Sequence, residues 1–151
     1  MKYERHDIIR ELVKRKADTS AITEEEAVGD RIYKWRDDLF NYQLEFIDDP
    51  CKSKTALCSR RAGKTYASCY YLLEAAHQSP NTICAYIALT RRSAKRLMWR
   101  ELKLADKTYM LGIKFNASEL IAILPNGSQI IMSGADDEAE IDKLRGSAYK
   151  L

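Results

Sequence analysis

Between Thr55 and Ala76 the chain changes character twice in twenty-two residues. A short apolar run, "TALCS", gives way to a basic, glycine-bearing stretch, "RRAGKT". That in turn leads into "YASCYYLLEAA", which is apolar nearly all round. The first run has strand length, and a helix without a polar face needs cover on every side. Strand, loop and buried helix in that order point to helices layered on a sheet, because neither element can bury itself alone.

The neighbouring segments extend the pattern. Ser79-Pro80-Asn81 stops the helix, and "TICAYIAL" reads as a buried strand of a parallel sheet. A basic helix starts at about Arg91, with Ala94, Leu97, Met98, Leu102 and Ala105 as its apolar stripe. "ELIAIL", "PNG" and "SQIIMSG" read as a hairpin. Asn126-Gly127 suits a type I′ turn there, with Pro125 leaving the turn type open. A last short helix runs from about Asp137 to Leu144 and stops at Gly146. Upstream, Ile8, Ile9, Leu12 and Val13 mark a short amphipathic helix. Thr23 and Glu26 form a capping-box signature, opening a helix that puts Val28, Ile32, Trp35 and Leu39 on one stripe. The expectation is a helical segment over 1–40, then an α/β domain over 41–151 with a mainly parallel sheet and an antiparallel hairpin.

The totals exclude several classes. A chain of 151 residues suits one domain. No run reaches 18 apolar residues, so no membrane span is expected, and "MKYERHDIIRELVKRK" lacks the apolar core of a secretion signal. Cys51, Cys58, Cys69 and Cys84 contain no C-x-x-C pair and read as reduced thiols of a cytosolic compartment. Two histidines speak against a His/Cys zinc site. The net charge of +3 is unevenly spread. Lys52 to Lys103 holds eleven Lys and Arg against two acids, Glu74 and Glu101, or +9; the remainder holds fourteen against twenty, or −6. A block this basic suits a polyanion on one face, either nucleotide or nucleic acid.

Gly63-Lys64-Thr65 closes the phosphate-loop pattern Gly-x-x-x-x-Gly-Lys-[Ser/Thr], with Cys58 standing where the first glycine belongs. Such a loop works by aiming successive N–H groups into a concavity at a helix N-terminus. Gly63 allows close backbone approach, Lys64 would reach the β- and γ-phosphates of ATP, and Thr65 would ligate Mg²⁺ through its hydroxyl. Cys58, Ser59, Arg60, Arg61, Ala62 and Tyr66 complete the nucleotide-binding stretch. Arg60 stands beside Lys64 as the candidate catalytic cation, able to sense or stabilise γ-phosphate charge. At Cys58 either the backbone keeps a negative φ or the loop is strained. On the basic helix, Arg92, Arg96, Arg100 and Lys103 lie opposite the apolar stripe, a face that could follow DNA phosphates or meet a neighbouring subunit.

"CSRRAGKT" resembles the deviant phosphate loop of the large terminase subunits of tailed phages, whose loop carries an interior arginine and tolerates a non-glycine start. "NYQLEF" places Gln43 fifteen residues before Cys58, where a glutamine of these ATPases reads the adenine edge, and Tyr42 could stack on the base. "IALTRRSAKRLMWREL" and "LPNGSQIIMSGADDEAEIDKLRGSAYKL" resemble the segments that follow. The resemblance runs from about Trp35 to Leu151. It implies a three-layer P-loop NTPase fold of the ASCE/RecA-like type. It also implies an ATPase that couples hydrolysis to translocating double-stranded DNA into a procapsid in the host cytoplasm. The implied partners are the portal protein, the small terminase subunit and copies of itself in a ring; in such a ring motor, Arg145 or a basic-helix arginine could act in trans on a neighbour's ATP. A helicase-like ATPase, or a nucleotide- or DNA-binding module without turnover, are the alternatives.

The family's acidic strand, coupling motif and nuclease domain are not visible before Leu151. Asp136 to Glu138 follow a strand, but Ser133-Gly134-Ala135 intervene, and an acidic run before a helix is what capping favours. The chain therefore reads as an N-terminal fragment, with a shortened reading frame as the alternative, and an incomplete sheet with an open edge is expected. Weak nucleotide binding and little or no turnover are expected of it alone.

Overall fold

The computed structural model describes Arg31 and residues 34–136. The helices expected before Arg31 and from Asp137 onward, together with Ile32, Glu138 and Arg145, lie outside the described residues. A 3₁₀ turn, Lys34–Asp38, leads into α1, Asn41–Asp48. α2 spans Lys64–Gln78 and β1 spans Ile83–Ala88. Next come α3, Arg91–Ala94, a π turn, Lys95–Trp99, and α4, Arg100–Tyr109. Three strands close the order: β2, Lys114–Asn116; β3, Ile121–Ile123; and β4, Gln129–Gly134.

The sheet is ordered β1-β4-β3-β2. β1 runs parallel to β4, from Ile83 opposite Gln129 to Ala88 opposite Gly134. β4 pairs antiparallel with β3, and β3 with β2. One pairing of three is parallel, so the described sheet is mixed rather than mainly parallel. The excess comes from the hairpin and from β2, whose three-residue "KFN" is too short to announce itself as a strand. The second expected strand, β1, and its parallel direction stand as read.

The strand expected in "TALCS" does not form. Residues 54–59 join no ladder, and Leu57 is fully exposed. Extended backbone becomes a strand only when a neighbour takes its hydrogen bonds, and no described strand runs beside it. On its outer side β1 has no partner among the described residues.

The hairpin turn is also different from the type I′ expectation. The Gly127 amide donates to the Leu124 carbonyl, and Leu124 and Ser128 are bonded across the turn. Pro125 holds its own φ negative, Asn126 keeps a negative φ, and Gly127 alone crosses to φ 81°. The result is a type I turn with a left-handed glycine after it.

α3, the π turn and α4 form one continuous helical rod, since Lys95 and Arg100 both keep right-handed angles. Thr90 caps it by accepting the Ser93 amide at 3.0 Å. Residues in a π turn advance less around the axis than α-helical ones. The turn therefore carries Trp99 into the core and leaves Leu97 at its margin, 38% exposed, contrary to the expected stripe. Ala94, Met98, Leu102 and Ala105 are buried as expected. α2 and α3 both pack on β1 and β4, and α2 also meets α4. Between them an aromatic ladder runs from Trp35 through Tyr70 (4.7 Å) to Tyr66 and Tyr109, whose hydroxyl donates to Asp38.

Candidate functional site

The segment from Cys58 to Gly63 bends back on itself before α2 begins. Gly63 caps the helix at φ 73°, in the left-handed region, and offers it no side chain. The first helical hydrogen bond is Ala67 N–H to the Gly63 carbonyl. Among the described residues, no amide from Gly63 to Tyr66 donates to a main-chain carbonyl. The opening turn of a fifteen-residue helix thus presents uncommitted N–H groups together with the positive end of its dipole.

The cost of that bend falls on Arg61, not on Cys58. Arg61 has φ 65°, a region non-glycine residues seldom adopt, whereas Cys58 keeps a negative φ. The missing first glycine is therefore no obstacle to the loop's shape. Gly63 is needed for its φ, and a Cβ there would also displace the Gln43 amide from the loop.

Two small cavities flank the loop. One, of about 310 Å³, is lined by Arg61, Ala62, Gly63, Lys64, Thr65 and Tyr66, with Glu101 of α4. The other, of about 260 Å³, includes Tyr42, Gln43, Phe46, Cys58, Ala62 and Lys64. Lys64 reaches both, and its ammonium now donates to the Ser59 carbonyl at 2.7 Å and to Cys58 at 3.4 Å. The loop's carbonyls hold the charge that the sequence assigns to phosphate.

Gln43 is buried rather than exposed. Its Nε2 donates to the carbonyls of Ala62 and Gly63 at 3.4 and 3.3 Å, and its Oε1 accepts the Phe40 amide at 3.0 Å. The Tyr42 hydroxyl donates to the Ala62 carbonyl at 3.2 Å, and its ring stacks on Phe40. Both residues tie α1 to the loop in this conformation. Ser59 and Arg60 are exposed and line neither cavity. Arg92, Arg96, Arg100 and Lys103 are all exposed on the α3–α4 rod. Lys103 sits over the rings of Trp99 and Phe115, at 5.4 and 5.7 Å.

Glu101 is the residue that sequence reasoning passed over. The one available signal was its being one of two acids in the basic block. Its place at the loop depends on the packing of α4 against α2. No group of three or more His, Cys, Asp or Glu side chains among the described residues could hold a metal ion by itself. For Mg²⁺, the donors that fit are the Thr65 hydroxyl and the Glu101 carboxylate, both hard oxygen groups on one cavity. No helix among the described residues is long and apolar enough to cross a membrane.

A family model described as terminase large subunit, T4likevirus-type, N-terminal, matches residues 55–151. No curated protein and no solved structure matches the chain. The match begins just before the loop and covers well over half of the chain, so this protein belongs to the family of T4-like terminase large subunits, N-terminal region, a family of phage DNA packaging.

Proposed function

We propose that the chain binds ATP with Mg²⁺ at the loop from Cys58 to Tyr66, as the nucleotide-binding part of a P-loop packaging motor. The observation that carries this reading is the set of uncommitted amides at the start of α2, in a chain matched by the terminase family over the same residues. The triphosphate takes the place that the Ser59 carbonyl holds on Lys64, so that a charge-assisted bond to phosphate replaces a neutral acceptor. Arg60, exposed on the turn before the cavity, would swing toward the γ-phosphate. Bound Mg²⁺ supplies neutralisation of phosphate charge, with Thr65 as its protein hydroxyl. Among the described residues Glu101 is the one carboxylate lining this cavity, so binding is expected to outrun turnover.

The partners proposed are double-stranded DNA along Arg92, Arg96 and Arg100, the portal protein, the small terminase subunit, and further copies of the chain in a ring. Titration with a fluorescent ATP analogue tests the loop. Lys64→Ala should weaken binding by about ten- to a hundredfold, the worth of one charge-assisted bond. Unchanged affinity in that variant would remove the reading. For the rod, DNA affinity should fall with salt, and Arg96→Ala should lower the slope of log K against log salt by about one. A slope unaltered by the change would take Arg96 out of the DNA surface.

A further inference from the structure

Glu101 is not accounted for by ion pairing. Its side chain is only 19% exposed, yet its one ion pair among the described residues is with Arg100 Nη2 at 3.6 Å, and Arg100 is 82% exposed. Such a pair contributes little to stability. It does not stand at a free helix N-terminus either, because the rod runs continuously through the π turn into α4. Its charge is felt inside the protein: burial first, and then the Glu101 carboxylate, push the Cys69 thiol well above its ordinary range. A carboxylate this shielded, on the wall of the cavity that holds Lys64 and Thr65, points toward a ligand. The π turn just before it, a feature frequent at functional sites, helps set the phase of α4.

Resting on the nucleotide reading above, we propose that Glu101 is a positioning residue that makes nucleotide binding depend on the divalent cation. The argument is one of charge. A bare triphosphate entering this cavity meets the cations Arg61 and Lys64, and also a carboxylate that repels it. A triphosphate carrying Mg²⁺ presents a cation to that same carboxylate, and repulsion becomes attraction, directly or through the ion's water shell. Glu101 thereby selects the metal-bound form. Because it lies on the rod that carries Arg92, Arg96 and Arg100, the same rigid element bears the cation-sensing group on its inner side and the basic residues outside.

The test is a two-by-two cycle on the full chain: affinity for the fluorescent ATP analogue, with Mg²⁺ and with chelator, in the native protein and in Glu101→Gln. Glutamine keeps the shape and removes the charge. The native protein should gain from Mg²⁺ at least about tenfold more than Glu101→Gln does, and the variant should bind the metal-free analogue more tightly than the native protein. Glu101→Asp, which restores the charge, should recover most of the Mg²⁺ gain. Equal Mg²⁺ gains in the native protein and the glutamine variant would overturn the role of Glu101 while leaving the loop reading intact. No binding by the native protein in either condition would overturn both. Far-ultraviolet circular dichroism and melting curves of the three proteins separate an unfolded variant from an altered site, and the aspartate variant keeps the test decisive if glutamine fails to fold.

Discussion

At the scale of single residues, the loop is assembled by side chains that serve the backbone. Gln43 spends both ends of its amide on main-chain groups, and Lys64 crosses its own loop to reach two carbonyls. Glu74 is a different case. It is buried on α2 with Oε2 unpartnered, while Arg36 Nη2 stands 3.7 Å from Oε1 and is itself engaged by Asp48. Burial raises the Glu74 pKa above its ordinary value, Arg36 opposes the shift, and Asp48 adds to it. A carboxyl raised on folding binds its proton more tightly in the folded state. Its stabilising effect is therefore present at low pH and lost as pH rises through the raised value. Glu74→Gln, which stays neutral, should melt higher than the native protein at pH 7.5, with the gap closing as pH falls to about 4. Melting curves across that range check it. A variant less stable at every pH would mean that the Arg36 contact outweighs desolvation.

At the scale of elements, the two ends of α2 are finished by different means. Its N-terminus is left open by a glycine. Its C-terminus is closed from fifty residues away: Asn126 Nδ2 donates to the carbonyls of Ala76 and His77 at 3.0 and 3.1 Å, and Ser128 Oγ donates to Ser79 at 2.8 Å. The hairpin turn thus holds the helix whose other end forms the loop. Asn126→Ala should cost about 1–3 kcal/mol by leaving two carbonyls without their donor. Denaturant unfolding measures the loss, and a cost within about 0.5 kcal/mol, as for an ordinary surface change, would show the contact to be incidental. The turn was legible as a turn, but its grip on α2 was not. Asn-Gly is a local signal, while the carbonyls it meets are chosen by how β4 docks beside β1.

At the scale of the whole molecule, the sheet formed by the described residues stops at β1. Ile87 and Leu89 are 53% and 80% exposed on or just past that strand, and Leu57 is fully exposed on the unpaired segment before the loop. Apolar side chains exposed beside a strand that has no outer neighbour among the described residues invite another strand. The chain should therefore self-associate with rising concentration, and Ile87→Lys, which charges the edge strand, should reduce that association. Sedimentation velocity over a hundredfold concentration range checks both. A native protein that stays monomeric throughout would mean the edge is covered.

What the sequence alone determined is what neighbours along the chain decide. Thr90 caps the rod because its hydroxyl sits three residues from the Ser93 amide. The limits of α2 follow from Gly63 before it and Ser79-Pro80 after it, and β1 and the hairpin follow from their apolar runs. The bend into α2 was readable too, since a left-handed glycine before a helix is a local demand. Tertiary structure decided the rest. It buried Gln43 against the loop, left "TALCS" without a ladder, made the sheet mixed, and set Glu101 on one cavity wall with Lys64 and Thr65. Each of these turns on a partner tens of residues distant, and periodicity along one segment carries no information about which other segment will lie against it.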